Sequence, residues 1–433
     1  MPAGVLHRDL LARILERESV VTHFQPLVAA RSQDVMGLEA LCRGIDPSDG
    51  RLVPPKELFS LAADDQRLVD LDRLCRRRAM EDFRRLNGPG GCLLLSLNFE
   101  AGLLDRGVVG SGHIKKLSHE LGLDPARIII EIVESKVRDI GALETFVNSH
   151  KEYGFLVALD DLGSGHSNLE RVAVLHPDVI KIDRALITGL DRHYHQQEVT
   201  RALLGLSHKI GALVVAEGVE SEAEALAALE LGVDVMQGYF FGRPAPEFEG
   251  LADCRRRIRR TARRFKGYAL ANIAAKQTKR GIFEAVAEGI ARELARLGTD
   301  ELDRHLDEQL SEHPYLECLY VLDDNGAQVS GTVCDPERLD SKRQAIFWPA
   351  AKGADQSLKR YYLLLKAGLE RYVSEPYISL ASGRLCLTVS CWFVDRGHRR
   401  RILCADFIAE PPAEGSLRPR EPDPACSAAR FGV

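Results

Sequence analysis

Between Val21 and about Phe241 the chain repeats one rhythm: a short run rich in β-branched residues, a stretch with helical spacing, then another run. The runs are THFQPLV (22–28), VMGLEAL (35–41), CLLLSLN (92–98), RIIIEIV (127–133), FLVALDD (155–161), VIKID (179–183), ALVVAEG (212–218) and a last one near Val235–Gln237, which makes eight. Helical patterns fill the gaps: ELFSLAADD, VDLDRLCRRRAMEDFRRL, GHIKKLSHELG, ALETFVNSHKEYG and SEAEALAALELG, the last stopping on Gly232. Alternation of this kind predicts right-handed βαβ units, in either a closed barrel or a long doubly wound sheet. No Gly-rich phosphate fingerprint follows the first run, which favours the barrel.

At 433 residues the chain exceeds what one hydrophobic core fills, so a second domain is expected beside a barrel of about 250 residues. The composition changes after Pro246. Leu251, Cys254, Ile258, Ala262, Phe265 and Ala269 recur at helical spacing on an arginine-studded segment, and a second helical pattern runs from about Thr278 to Leu297, with LDRHLDEQLSEH as its possible continuation. From Tyr315 the period switches to strands. YLECLYVLDDNGAQVSGTV predicts a hairpin turning at Asp323–Gly326, and RYVSEPYISL, GRLCLTVSCWFV and RILCADFI follow. The expected division is a barrel over 1–247, a connector helix over 248–277, a smaller α+β domain over 278–412 and a disordered tail over 413–433.

Charge and composition remove several classes. With 45% hydrophobic and 28% charged residues the chain reads as globular, and a net charge of −5 gives no pull toward a nucleic-acid polymer. The arginines from Arg255 to Arg264 would suit anionic lipid or nucleic acid, but a solvated connector helix explains them as well. No apolar run approaches the roughly 20 residues of a membrane span, and the N-terminal amphipathic helix lacks the core of a signal peptide, so a cytoplasmic protein is expected. Ten cysteines without a C-x-x-C pair predict reduced, mostly buried thiols.

Polar residues inside otherwise apolar runs carry the chemistry, because a buried ionisable group without a partner costs several kcal/mol. Glu39, Asn98, Glu131, Asp160, Asp161, Lys181, Asp183, Glu217 and Gln237 stand at or near the ends of successive runs. In a (β/α) barrel those ends converge on one mouth, where active sites are built. Carboxylates gathered so closely call for a cation. With hard oxygen donors and no His or Cys, Mg²⁺ or Mn²⁺ fits better than zinc, and the adjacent Asp160 and Asp161 suit two ions. Lys181 would orient water or stabilise phosphorane charge. A phosphodiesterase and a different Mg²⁺ barrel, such as an enolase-type lyase, both remain open on these grounds.

The motifs GLEALCR (37–43), FQPLV (24–28), SLN (96–98), EIVE (131–134), LDDLGSGHS (159–167), IKID (180–183), AEGVE (216–220) and QGYFFGRP (237–244) resemble, in order, those of the EAL phosphodiesterases, over roughly residues 15–247. The resemblance implies a modified TIM barrel with one reversed strand and hydrolysis of cyclic-di-GMP to linear pGpG, with two Mg²⁺ or Mn²⁺ ions. It implies metal ligation by Glu39, Asn98, Glu131, Asp160, Asp161 and Glu217, with Glu39, Lys181, Glu217 and Asp161 as catalytic residues. It further implies substrate contacts from Gln25, Leu41, Arg43, Asp183, Glu220, Gln237 and Pro244, Asp183 also supporting Lys181. Glu134 would stabilise the loop after the fifth run and couple it to a homodimer. Leu162 stands where the family has an aromatic, His166 where Tyr is common and Val133 where Thr is usual, so looser packing of that loop is expected. A non-catalytic cyclic-di-GMP receptor is the alternative. The C-terminal segment resembles a PAS/Cache-type sensor, which implies regulation by an unknown small ligand. Tyr361, Tyr362, Tyr377 and Trp348 are candidates for its pocket, with core packing expected for most of them.

Overall fold

The computed structural model describes residues 3–62, 67–88, 90–106, 112–133, 137–163, 169–246, 250–336, 339 and 346–409. The tail over 413–433 lies outside them. Two compact units divide near Ala269.

The first unit begins with helix α1 (Ala3–Glu16) and strands β1 (Val20–Ala29) and β2 (Asp34–Ile45), with the two-residue β3 (Leu52–Val53) pairing back onto β2. Helices α2 (Pro55–Ala62) and α3 (Leu68–Asn87) lead to β4 (Leu94–Phe99), and α4 (His113–Leu121) to β5 (Ile128–Ile132). Then α5 (Ile140–Glu152) precedes β6 (Leu156–Leu162), and α6 (Leu169–Leu175) precedes β7 (Val179–Ile182). Helices α7 (Arg184–Ile187) and α8 (Tyr194–Ile210) precede β8 (Leu213–Ala216), and α9 (Glu222–Leu231) precedes β9 (Val235–Met236).

The strands close in the order β1-β9-β8-β7-β6-β5-β4-β2 and back to β1, with β3 outside the ring. All pairings from β2 through β9 around the ring are parallel, whereas β1 is antiparallel to both neighbours. The strand–helix rhythm alone predicts parallel units throughout and fails here. Only four residues separate β1 from β2, too few for the dozen or so that a parallel crossover needs, so the chain can only turn back as a hairpin. β1 is therefore the reversed strand that the family resemblance leads one to expect.

Inside the barrel, Leu27, Ile129, Ala158, Val179, Val215 and Val235 form one apolar plug, while a larger core lies between strands and helices. Each plug residue stands two positions from a polar one on the same strand or, for Glu217 and Gln237, one residue past its end. A strand's period of two thus places Gln25, Glu131, Asp160, Lys181, Glu217 and Gln237 on the inward face above the plug. Helix α9 carries a capping box, with Ser221 and Glu224 exchanging side-chain and backbone hydrogen bonds, and ends on Gly232 at φ 91°.

Helix α10 is continuous over Leu251–Leu294, so the two helical patterns read separately from sequence are one element, with no proline between them to break it. Within the first unit Cys254 and Ile258 are buried in the barrel's outer core. The arginine run is solvent-exposed, as a solvated helix face would be, and several of its members still find partners: Arg255 Nε meets Asp34 Oδ1 at 2.5 Å, Arg257 reaches the Phe240 carbonyl, and Arg260 and Arg264 pair with Glu222.

The second unit joins the later half of α10 and α11 (Leu302–Glu312) to a sheet of β10 (Leu316–Asp323), β11 (Val333–Cys334), β12 (Arg371–Val373), β13 (Tyr377–Ile378), β14 (Leu385–Val394) and β15 (Arg400–Ile408). Helix α12 (Arg360–Lys366) lies between β11 and β12 in sequence. The predicted continuation into LDRHLDEQLSEH is interrupted at Gly298, which caps a 3₁₀ turn before α11. Phe283 stacks on Phe407 with centroids 4.3 Å apart in this unit's core. The predicted hairpin turns where expected, Asp323 Oδ1 accepting from Asn325 N and Ala327 N, although its second arm pairs only at Gln328 and at Val333–Cys334. The expectation of uniformly reduced cysteines fails at one place. Cys318 and Cys334 face each other across that arm with Cα atoms 4.4 Å apart and form a disulfide, a pairing that register sets and sequence spacing does not. Among the described residues no helix is long and apolar enough to cross a membrane.

Candidate active site

Lys181, 1% exposed, rises from β7 into the barrel mouth. Its Nζ lies 2.5 Å from Glu217 Oε1, 2.9 Å from Glu131 Oε1, 3.5 Å from Glu39 Oε2 and 3.6 Å from Asp160 Oδ1. Four strands besides its own thus converge on one ammonium. Asn98 Nδ2 donates to Glu39 Oε1 at 2.8 Å, and Gln237 Nε2 donates to Glu39 Oε2 at 2.5 Å and to Gln25 Oε1 at 3.1 Å. Gln25 sits opposite Glu39 in the β1–β2 register and donates to the Gly242 carbonyl at 3.2 Å.

Consecutive strand residues point to opposite faces, so Asp160 and Asp161 would not ordinarily share a site. Here Asp161 adopts φ 61°, and the β6–β7 register shifts between Leu159 and Leu162. This break in the alternation lets Asp160, Asp161 and Glu217 offer oxygens within 4.8 Å of one another. Leu162, in place of the family's aromatic, is buried and pairs with Ile182.

Burial acts to lower the Lys181 pKa, but the carboxylates of Asp160, Glu131, Glu217 and Glu39 outweigh it and hold the ammonium well above the ordinary lysine range. Burial, reinforced by the Glu39 charge, raises Glu131 well above the carboxylate range, and burial pushes Glu217 up to about 8. Glu39 goes the other way: burial raises it, but the Lys181 charge and the Gln237 and Asn98 amides bring it below its usual value. Among the described residues, five carboxylates against one lysine leave the mouth short of positive charge. The residues fit divalent metal: all donors are hard oxygens, and Glu131 Oε2 and Gln237 Oε1 are buried without a hydrogen-bond partner among the described residues.

The substrate-side candidates are placed as follows. Glu39, Leu41 and Arg43 share one face of β2 by its period of two, and Arg43 Nη1 donates to the Cys42 carbonyl at 2.9 Å. Pro244 precedes Ala245, whose backbone pairs with Phe24 and folds the QGYFFGRP segment back over β1 beside Gln25. Gly238 permits this, since a Cβ there would sit 2.0 Å from the Val219 carbonyl. Glu220 is exposed, its backbone N–H donating to Glu224. Asp183 accepts from Ala185 N and caps α7, a role that a helix start explains by itself. Glu134 and His166 lie outside the described residues.

Two features escape the sequence reading. Ser96, two residues before Asn98 and on the same face, donates Oγ to Glu131 Oε1 at 2.5 Å; the alternation in SLN held that signal. A cavity of about 450 Å³ opens beside Glu39, Leu41 and Asn98, with the buried Asp72–Arg76 pair of α3 in its wall. That pair is legible only as an i,i+4 spacing.

The EAL domain family matches residues 7–244, more than half of the chain, and the chain belongs to that family. MucR of Pseudomonas aeruginosa, a bifunctional diguanylate cyclase/cyclic di-GMP phosphodiesterase, is 31% identical over 249 residues, covering 56% of this chain and 35% of that protein. The chain spans about a third of the length of the curated relatives it matches. The solved PaMucR phosphodiesterase in complex with c-di-GMP is similar at 28% identity and a TM-score of 0.50, over 56% of this chain and 98% of that one. The Bacillus subtilis YkuI protein, an EAL-domain protein solved with substrate c-di-GMP and calcium, is similar in fold, with a TM-score of 0.76 at 22% identity over 92% of this chain and 99% of that one.

Proposed function

We propose that the barrel hydrolyses cyclic-di-GMP to linear pGpG, dependent on two divalent ions, Mg²⁺ or Mn²⁺. The convergence of Glu39, Glu131, Asp160 and Glu217 on Lys181 at one mouth carries this reading. Glu39, Asn98, Glu131, Asp160, Asp161 and Glu217 would hold the ions, which when bound would supply an activated water and charge stabilisation at the phosphate. Lys181 presents an ammonium fixed in its charged form to the reacting phosphate and its water. Asn98 and Gln237 hold Glu39 in one orientation, with Gln237 also facing water or substrate. Arg43 pairs a phosphate, Glu220 reads a guanine, and Gln25, Leu41, Asp183 and Pro244 complete the substrate contacts. Glu134 stabilises the loop after β6.

The same proposal makes the protein a cytoplasmic homodimer regulated by its C-terminal unit as a PAS/Cache-like sensor. Seven free thiols among the described residues fit a reducing compartment, with the Cys318–Cys334 disulfide as the exception. Light scattering reads the oligomeric state, and a monomer at micromolar concentration removes that part.

Purified protein incubated with cyclic-di-GMP and Mg²⁺ or Mn²⁺ should release pGpG, and Glu39→Ala should abolish release. Tight binding without pGpG would leave only the receptor reading, and wild-type rates in Glu39→Ala would take Glu39 out of the metal site.

A further inference from the structure

The face of the C-terminal sheet opposite the Phe407 core carries buried acids that the barrel chemistry does not use. Asp406 on β15 is 3% exposed and lines a cavity of about 790 Å³ with Tyr320, Tyr361, Tyr372, Tyr377 and Trp348. Its Oδ1 accepts from Thr388 Oγ1 at 2.7 Å, and Thr388 shares a second hydrogen bond with the Tyr377 hydroxyl at 2.7 Å. Tyr320 OH donates to Tyr361 OH at 2.9 Å on the same face. On the adjacent strand, at the irregularity beside the Cys318–Asp406 pairing, Glu317 is 1% exposed and neither of its oxygens has a hydrogen-bond partner among the described residues.

Two buried carboxylates side by side repel, and each alone is costly without a cation. Among the described residues no lysine, arginine or histidine forms an ion pair with either acid within 4.0 Å. Burial first, and then the Glu317 charge, push Asp406 up to about 7; hydrogen bonds from Thr388 and Tyr377 and the charge of Lys359 pull the other way without cancelling this. The cavity therefore combines a buried acid, Asp406, that pairs with no cation among the described residues, with aromatic walls whose faces attract positive charge.

We propose that this cavity binds a small organic ammonium ion, its charged head against Asp406 and its carbon skeleton among the tyrosine and tryptophan side chains. The inference rests on the sensory reading of this unit and not on the barrel's reaction. An amine and a free amino acid share the ammonium group; Lys359 and Arg360, which also line the cavity, would favour the second through its carboxylate.

Calorimetric titration of the full chain with phenethylamine, L-phenylalanine, putrescine and 3-phenylpropionate tests this. At least one of the three ammonium compounds should saturate the protein while 3-phenylpropionate does not, and phenylalanine against phenethylamine identifies the favoured source. Asp406→Asn should weaken binding roughly thirtyfold or more. Tyr361→Phe, which keeps the ring, should weaken it several-fold and serves if the first variant fails to fold. No saturable binding by any ammonium compound, equal binding of 3-phenylpropionate, or unchanged affinity in both variants would overturn the proposal. Cyclic-di-GMP turnover measured on the same preparation keeps the two readings apart, since ammonium binding without turnover sinks only the hydrolase, and turnover without ammonium binding sinks only this site.

Discussion

The barrel mouth and the C-terminal cavity both bury acids on strands, and they treat them in opposite ways. In the mouth, Glu39, Glu131, Asp160 and Glu217 surround an internal cation, with Asn98, Gln237 and Ser96 orienting two of them. In the C-terminal unit, Asp406 in the cavity wall meets only hydroxyls and Glu317 on the neighbouring strand meets nothing, with no cation paired to either among the described residues. The difference teaches that a buried charge is informative chiefly through its partner. A self-supplied partner marks machinery held ready for a reaction, and a missing one marks a place for something to arrive.

The largest effect should come from breaking the mouth's side of that contrast. Lys181→Met leaves its carboxylates facing one another with no internal cation. Turnover should fall by about three orders of magnitude, and unfolding measured in chelator should show a loss of roughly 3–5 kcal/mol. Wild-type turnover in this variant would mean that the convergence on Lys181 is only structural. Chelator alone should stop turnover of the wild type, and added Mn²⁺ or Mg²⁺ should restore it.

The cavity side predicts a change of opposite sign. Asp406 is raised from 3.8 to about 7, so its contribution to stability is fully present below the unfolded value and lost as pH rises through the folded one. The full span is roughly 4 kcal/mol as an upper figure. Asp406→Asn should therefore stabilise the ligand-free C-terminal unit at pH 8.5 and leave it little changed near pH 4, read as melting temperatures at the two values. Equal shifts at both would show that the Asp406 charge is already compensated. Glu317, Tyr377, Thr388 and Lys359 are the neighbours that set this balance, and an ammonium ligand should bind more tightly above pH 7 than below it.

Ser96→Ala is intermediate. It removes the hydroxyl that donates to buried Glu131 at 2.5 Å, for a stability loss of about 1–3 kcal/mol, and should lower turnover about tenfold by freeing that carboxylate to move. Unaltered turnover with reduced stability would confine Ser96 to packing.

Much of the mouth was legible in the sequence because its chemistry violates a local rule: polar residues interrupt apolar runs at Glu39, Glu131, Lys181 and Glu217. The period of two then aims them inward together. What stayed hidden depends on nonlocal geometry. The adjacency of Asp160 and Asp161 is legible as a pair, but the left-handed backbone at Asp161 that brings both to one site is not, and Ser96 looks like any strand serine until Glu131 lies beside it. The cavity was less legible. Among its aromatic candidates Tyr361, Tyr377 and Trp348 do line it, while Tyr362 hydrogen-bonds the Asp324 carbonyl instead. Asp406 and Glu317 sit in CADFI and LECLY, where an isolated acid in a strand reads as a solvent-facing position, yet both are buried, Asp406 in the wall of a cavity whose lining includes residues from Ile346 to Ala381.

The contrast has a third member that calibrates it, a charge pair with water on one side. Arg264 on α10 pairs with Glu222 of α9, and the arginine side chain is 46% exposed. Solvent screens such a pair and the long arginine chain loses rotamer freedom in making it, so Arg264→Ala should cost no more than about 1 kcal/mol. Raising salt to 1 M should remove most of whatever difference remains between variant and wild type, because the Debye length then falls to about 3 Å. Lys181→Met should be far less sensitive to the same salt, its partners being buried. If Arg264→Ala proved as damaging as Lys181→Met, burial would not be what sets the scale of these charges, and the missing cation at Asp406 would lose its significance too.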